Sequence, residues 1–197
     1  MLCLLRGPLR LAGALPIVVA AALWSVAERP HVLIADDGGL VGIMGPEGRA
    51  LSRETGGGFI ADVWLENDGD MAGHEASARR WSEPVEDRIA RHPFGTVEIV
   101  HLQGKRAAEA FGRCTPGQIV VQSDGDPVTG DCRLFHPTTL KQSGSVALWQ
   151  AEDGIRVVTD RDRSGRRLWH GASPEPAPGV IAWLSTSGSV PRADPAR

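Results

Sequence analysis

The sequence lacks the excess of positive charge that a dedicated nucleic-acid-binding protein carries. Its 197 residues include 21 Lys and Arg against 24 Asp and Glu, which leaves a formal net charge of −3. Tyrosine is missing, and aromatic residues make up only 5% of the chain. Glycine and proline are instead abundant, with 24 and 14 residues. This turn-rich composition favours short strands over long helices.

The sequence motifs of common hydrolases are missing as well. The six histidines include no H-x-H, H-x-x-x-H or H-E-x-x-H spacing, so we predict no metal site and no cofactor. No G-x-S-x-G surrounds a serine, and no G-K-[ST] follows the triple glycine at 56–58. The acid-rich segments ENDGDMAGHE and SDGDPVTGD depart from the ligand register of a calcium loop. We interpret both as ordinary turns.

One uncharged apolar run, Leu11–Ala27, lies near the N-terminus. Its length meets the lower limit of about 17 residues for a helix that crosses a bilayer. Arg6 and Arg10 precede the run, and the positive-inside rule then places the N-terminus in the cytoplasm and the main domain in the periplasm. The sequence thus predicts an anchor in the inner membrane. Two alternatives stay open: a signal peptide cleaved after small residues at Ser25 and Ala27, and a buried core helix.

Only three cysteines are present, and two of them, Cys114 and Cys132, follow the apolar run. If this part of the chain is exported, the pair can be oxidised to a disulfide, which would contribute about 3 kcal/mol of stability. Two buried free thiols are the alternative, because the sequence alone does not show how closely the two Cα atoms approach.

Short hydrophobic segments with turn residues between them predict a meander of two or three strands from His31 to Ser52. The segment Phe59–Asp68 has helical spacing, with Phe59, Ile60, Val63 and Trp64 on one stripe. Residues 71–95 have weak periodicity, and we expect a long, partly irregular surface segment there. The remaining predictions are strands over 96–102, 117–123 and 131–137, a helix over 105–114, a short helix or turn over 138–144, and a hairpin over 145–161.

These elements predict an α+β fold, in which one N-terminal transmembrane helix is followed by a small domain of short, mainly antiparallel strands with two or three short helices. The strand, helix and strand over 96–123 predict a locally parallel or mixed arrangement. We divide the chain into the anchor or signal peptide at 1–28, an exported domain at 29–160 and a tail at 161–197. The tail is basic and then rich in Pro, Ser and Gly, so we expect part of it to be disordered.

Two basic clusters are the remaining functional signal in the sequence. Clustered cations can hold phosphates, and an aromatic ring beside them can stack on a base. The alternative is a solvated charged face, because nearby aspartates offset part of the charge. The candidate contacts for single-stranded DNA are Lys105 and Arg106 in the first cluster, and Arg163, Arg166, Arg167 and Trp169 in the second.

Several segments occur in an order that resembles the C-terminal part of ComEC-type competence proteins of the alphaproteobacterial sort. An arginine-flanked apolar run is followed by RPHVLIADDGGLVGIMGPEGRAL, then by FIADVWLENDGD, and then by VHLQGK and two spaced cysteines. The resemblance covers about Leu5 to Gln150. Each motif by itself is unspecific, and the order and spacing carry the comparison.

The resemblance implies a function, because this family forms the inner-membrane channel that passes single-stranded DNA into the cytoplasm during natural transformation. The multi-helix channel segment and the histidine-rich metallo-β-lactamase-like signature of many family tails have no counterpart in this sequence. We therefore expect a C-terminal fragment that acts without enzymatic activity as a membrane-anchored appendage of the channel. Its expected partners are the inner membrane, the channel-forming part and single-stranded DNA. The alternatives are an exported hydrolase with an unrecognised site and a non-functional gene remnant.

Overall fold

The computed structural model describes residues 14–26, 28–151, 154–165 and 183–184. The sequence-based predictions for Arg166, Arg167 and Trp169, and for most of the tail at 161–197, lie outside these residues. Six helices are found in the described part: α1 Ala14–Ser25, α2 Gly58–Asp68, α3 His74–Ala78, α4 Lys105–Phe111, α5 Pro137–Ser143 and α6 Asp160–Ser164.

The same part of the chain contains twelve strands. They are β1 Val32–Ile34, β2 Val41–Gly45, β3 Gly48–Leu51, β4 Ile89–Phe94, β5 Val97–Leu102, β6 Arg113–Cys114, β7 Gln118–Gln122, β8 Thr129–Gly130, β9 Arg133–Phe135, β10 Val146–Ala151, β11 Gly154–Thr159 and β12 Trp183–Leu184. The predicted α+β class with mainly antiparallel strands is confirmed. Five helices follow α1, more than the two or three expected, because α3 and α6 are five-residue segments too short to show a hydrophobic period.

The first sheet has six strands in the order β12-β11-β10-β1-β2-β3, and all its pairs are antiparallel. The meander predicted from His31 to Ser52 forms β1 to β3, and the hairpin predicted over 145–161 forms β10 and β11. The sequence did not predict how the two units join. In the structure Val32 of β1 pairs with Ile43 on one side and with Leu148 of β10 on the other.

The second sheet has four strands in the order β4-β5-β7-β9. The pair β4–β5 is antiparallel, whereas β5–β7 and β7–β9 are parallel. Helix α4 is the crossover between β5 and β7, which confirms the predicted mixed arrangement. The segment over 71–95, predicted to be partly irregular, contains α3 and β4, neither of which was predicted individually. Strand β4 tolerates Pro93 since it is an edge strand.

The two sheets pack face to face, and helices cover their outer faces. The central core takes Val41 and Ile43 from the inner face of the first sheet and Ile99, Ile119 and Val121 from the second. On the outer side of the first sheet, α2 and α3 pack against β2 and β3. On the outer side of the second sheet, α4 packs against β5 and β7. The domain is thus a four-layer sandwich with the order helix, sheet, sheet, helix.

Helix α2 forms where the sequence predicts a helix, but the predicted stripe is partly wrong. Ala61 and Leu65 are the buried residues, and Ile60 and Trp64 pack beside them. Phe59, in contrast, is 82% exposed. The buried face is the one that carries Ala61 and Leu65, and Asp68 at the end of the helix continues this face and pairs with an arginine of the sheet.

The predicted disulfide is confirmed. Cys114 and Cys132 are bonded, with their Cα atoms 5.7 Å apart and a sequence separation of 18, a spacing within the usual range. Both residues belong to the apolar cluster under α4 on the outer side of the second sheet. Closing a loop of this length contributes about 3 kcal/mol to the stability of the fold. The bond therefore stabilises the segment from β6 to the beginning of β9.

Helix α1 lies inside the run for which a membrane helix is predicted. Its twelve residues carry no charge, and its large apolar side chains are exposed over 48% to 75% of their surface. None of the helices in the described residues combines the length and the apolar character that a membrane span requires. Residues 1–13 and 27 lie outside the described part, so the full predicted span of 11–27 stays a prediction.

Candidate functional site

The predicted DNA contacts lie on different layers of the sandwich. Lys105 and Arg106 are exposed at the beginning of α4, on the outer side of the second sheet. Arg163 is exposed on α6, which follows β11 of the first sheet. Lys105 lies 3.8 Å from Glu109, one turn along the helix, in a pair that is more than 60% exposed on both sides. An exposed pair of this kind neutralises little of the cation's field.

A third cation, Arg88, adjoins the cluster at α4. Gly104 is the residue directly before Lys105. A Cβ atom added to Gly104 would lie about 4.0 Å from the Nη2 atom of Arg88. Arg88 is exposed and follows Asp87 in a two-residue turn between Glu86 and Ile89, where both central residues have positive φ angles of 48° and 64°. Such a turn aligns two short strands tightly. Arg88 could not be predicted from the sequence, because no local pattern places this turn beside α4.

The acidic segment at the end of α2 binds arginines instead of a metal. Asp68 accepts hydrogen bonds from Nε of Arg49 at 2.5 Å and from Nη2 at 3.2 Å, and the Arg49 side chain has no exposed surface. Arg49 is directed outward from β3, and it also donates to the carbonyl oxygens of Gly42 and Pro30, each at 3.4 Å. The buried charge is therefore balanced by a bidentate carboxylate and by backbone oxygens.

Gly42 makes room for this arginine. A Cβ at this position would lie 2.8 Å from Cδ of Arg49 and 3.0 Å from a ring carbon of Trp64. Since real Cβ atoms do not approach this closely, a larger residue would push the arginine or α2 away from the sheet. The arginine fills the gap between β2 and α2 that the glycine leaves.

A second ion pair lies next to the first. Arg80 donates a short hydrogen bond to Asp70 and another, at 3.3 Å, to the carbonyl oxygen of Arg49. The hydrogen bond from Arg80 holds the pKa of Asp70 below its ordinary value, against the opposing effect of burial, and the backbone N–H of Ala72 adds to the lowering. Gly69 between the two acids has a φ of 72° and ends α2. The segment interpreted as a turn is therefore the C-terminal cap of α2.

The DDGG turn after β1 contacts the second sheet through a buried histidine. His101 lies on the inner side of β5 with no exposed surface. Its Nε2 atom lies 3.0 Å from the carbonyl oxygen of Gly38, and its Nδ1 atom lies 2.7 Å from the hydroxyl of Ser52. Since a carbonyl can only accept, Nε2 carries the proton and donates it, and the Ser52 hydroxyl donates to Nδ1. Burial lowers the pKa of His101 to about 4, and the positive charge of Arg53 contributes to the lowering.

Glycine is required at position 38 because the backbone of β7 lies very close to it. Gly38 has a φ of 69°, and a Cβ would lie 2.4 Å from the carbonyl oxygen of Gln122 in β7. Asp37 accepts a hydrogen bond from the backbone N–H of Gly39 at 2.7 Å, and Arg53 donates to the Gly39 carbonyl at 3.1 Å. The turn is therefore a packed junction between the sheets, with its acid used to shape the loop.

The Ser52–His101 pair resembles a nucleophile and its base only in composition. Catalytic pairs of this kind need contact with a substrate, whereas both residues here have no exposed surface. The Ser52 hydroxyl also accepts from the backbone N–H of Val41 at 3.0 Å. Both groups have their hydrogen-bonding capacity used by the protein itself. Among the described residues, no group of three or more His, Cys, Asp and Glu side chains is arranged to hold a metal ion.

Comparison of the chain with protein-family models, with curated proteins and with solved structures gives no match.

The buried histidine predicts how stability depends on pH. The pKa of His101 is about 4 in the folded protein and about 6.5 when unfolded, so the unfolded chain takes up the proton first as the pH falls. The stability from this residue is fully present above pH 6.5 and is lost progressively towards pH 4, by about 3 kcal/mol in total. Urea unfolding at pH 7, 5.5 and 4 measures the loss.

The control is His101→Gln, which keeps both hydrogen-bonding functions without a titrating group. We expect this variant to have a much flatter dependence between pH 6.5 and 4. The contribution of Asp70, whose pKa is lowered, is lost only below its ordinary value of 3.8. Equal slopes for the wild type and the variant would contradict the assignment of this pH window to His101.

Proposed function

We propose that this protein is a membrane-anchored, exported domain that acts without enzymatic activity beside a DNA-uptake channel of the ComEC type. In this proposal the residues before α1 are cytoplasmic, α1 belongs to the membrane anchor and the sandwich lies in the periplasm. The domain stabilises the channel-forming part and guides single-stranded DNA at its mouth.

The observation that carries the proposal is the surface of α1. Exposed apolar residues occur on every side of this helix, including Leu15, Val18, Val19, Leu23 and Trp24. A helix that is apolar all round is stable only inside a large core or in lipid, and α1 leads directly into a domain that already has a filled core. The disulfide between Cys114 and Cys132 agrees with an oxidising compartment outside the cytoplasm.

The motifs behind the family resemblance come together in three dimensions. Arg29 donates to the carbonyl oxygen of Asp68 at 2.7 Å, and Arg49 joins Asp68 to the carbonyl of Pro30. The segment that leaves the apolar run is thus held to the end of α2, which belongs to the second motif. This supports the view that the ordered motifs specify one structural unit that follows a membrane segment.

The role without enzymatic activity is supported by the way in which the reactive groups are used. Ser52 and His101 are buried and hydrogen-bonded to each other, and Asp68 and Asp70 form ion pairs with arginines. These groups hold the layers together. The cations Lys105 and Arg106 at α4, in contrast, are exposed and available to a polyanion.

Fusion of a topology reporter after Arg197 tests the proposal. We expect alkaline phosphatase, which is active only after export, to be active in this fusion, and a fluorescent protein that matures only in the cytoplasm to stay dark. The double variant Val18→Arg/Val19→Arg places two charges in the apolar helix and should abolish export, since each costs about 2.5–3.5 kcal/mol at the centre of a span. A cytoplasmic reporter in the wild-type fusion would refute the proposal.

Salt dependence tests the role in guiding DNA. Binding of the full chain to a fluorescent single-stranded oligonucleotide should weaken as salt increases, because cations at the phosphates release counterions. Replacing Lys105 and Arg106 with glutamine should lower the slope of log K against log salt by about 1.4, at about 0.7 for each lost phosphate contact. Lys141→Gln on α5 is the control and should leave the slope unchanged. Binding that does not depend on salt, or the same slope in all three proteins, would exclude these contacts.

A further inference from the structure

We propose that the outward face of α2 is a docking surface for an amphipathic helix of a partner protein, one that carries apolar side chains flanked by Lys or Arg. The surface consists of Phe59, Asp62, Val63 and Glu66 on α2 and Met71 just beyond it. This inference goes beyond the proposed function and requires neither the membrane topology nor DNA binding.

The four helical residues form one stripe. They lie at positions i, i+3, i+4 and i+7, the spacing that places side chains on one face of a helix. The opposite face, with Ala61 and Leu65, is buried against the first sheet. Phe59 is 82% exposed, Val63 is 36% exposed and Met71 is fully exposed. The buried half of the FIADVWLENDGD motif is explained by the fold, whereas this exposed apolar half is not.

The charges on the surface define the chemistry of the partner. In the part of the chain that the structure describes, neither Asp62 nor Glu66 takes part in an ion pair. The neighbouring acids Asp68 and Asp70, in contrast, are bound by arginines. Asp62 and Glu66 are four residues apart, so they match two cations at the same spacing on a facing helix. Apolar contact beside paired charges is the pattern of a helix–helix interface.

A concave feature adjoins the stripe. A cavity of about 370 Å³ is lined by Asp62, Leu65, Glu66, Gly69 and Met71, among others. Glycine at position 69 leaves open space, with nothing within 4 Å of where its Cβ would be. A partner side chain can enter here, in contact with the apolar surface of Leu65 and Met71 and with its charged end beside the two acids.

A protein helix fits this surface better than a bilayer or a second copy of the same face. Asp62 and Glu66 lie between the apolar side chains, and an anionic lipid surface would be repelled by them. A symmetric contact between two copies would bring the acids of each face together, which is destabilising. A helix with the opposite charge pattern has neither conflict.

Two synthetic peptides provide the test. Both are 18-residue amphipathic helices with identical Leu and Ala positions, and they carry Lys in one and Glu in the other at flanking positions four residues apart. The full chain is reconstituted in nanodiscs of neutral phosphatidylcholine, and binding is followed by fluorescence anisotropy. We expect at least tenfold tighter binding of the Lys peptide. Phe59→Ser/Val63→Ser should weaken that binding at least tenfold, and Asp62→Lys/Glu66→Lys should reverse the preference.

The matched control is Glu83→Lys/Glu86→Lys, the same charge change at two exposed acids in the loop before β4. Binding that stays within twofold of wild type in this control supports the proposal. Similar binding of both peptides, or equal losses in the control and in the α2 variants, would overturn it. Sedimentation that shows a dimer dispersed by Phe59→Ser would also overturn it, because the occupant would then be a second copy.

A spin label distinguishes the membrane as the occupant. It is attached at Phe59→Cys in a Cys3→Ser background, and the nanodiscs contain phosphatidylglycerol and phosphatidylcholine. We expect the label to be accessible to a water-soluble relaxation agent and to lose that accessibility when the Lys peptide is added. Accessibility to dissolved oxygen typical of a lipid-buried label would overturn the proposal. None of these results depends on the cellular topology, so this proposal and the proposed function can fail independently.

Discussion

The guanidinium of Arg49 lies without exposed surface between the first sheet and α2, and the carboxylate of Asp68 balances its charge. A buried ion of this kind is costly to desolvate and is tolerated only when its hydrogen bonds are satisfied. The outer layer is arranged around this requirement. Gly42 leaves the space, the carbonyl oxygens of Gly42 and Pro30 accept two further hydrogen bonds, and the last residue of α2 faces inward. The ion pair and the apolar contacts of Ala61 and Leu65 therefore hold α2 in the same orientation.

The rotation of α2 links the core to the surface. When Asp68 faces the sheet, Leu65 and Ala61 are buried, and Phe59, Asp62, Val63 and Glu66 necessarily face solvent. The same ion pair thus stabilises the outer layer and determines which side chains the domain presents. Between the two sheets, the hydrogen bonds of His101 to Gly38 and Ser52 have a comparable role, since they connect the DDGG turn and the end of β3 to β5.

Local patterns in the sequence were sufficient for much of the fold and insufficient for the contacts between its parts. The meander, the hairpin and the crossover through α4 follow from turn residues and alternation. The disulfide was expected from the predicted export of the cysteine pair, with free thiols as the alternative. The pairing of β1 with β10 could not be predicted, because the residues of either strand do not indicate which strand pairs with it. Helix α2 was located correctly but its buried face was not, since the helix has two overlapping apolar stripes. The stripe with Ala61 and Leu65 packs on the sheet, in line with the paired Asp68. Arg49 and His101 were not identified for the same reason: each is a polar residue in an apolar strand, whose partners lie 7 to 63 residues away.

A double-mutant cycle on Arg49 and Asp68 tests the central claim most directly. The free energy of unfolding of the full chain in mild detergent is measured for Arg49→Met, Asp68→Leu and the double variant. Each single change should cost about 3–5 kcal/mol, because it leaves the other charge buried and unpaired, and the double variant should lose much less than the sum. The exposed pair Arg79–Glu75 is the control, with a coupling of about 0.5 kcal/mol or less. Additive losses at Arg49 and Asp68, within about 0.5 kcal/mol, would contradict the account.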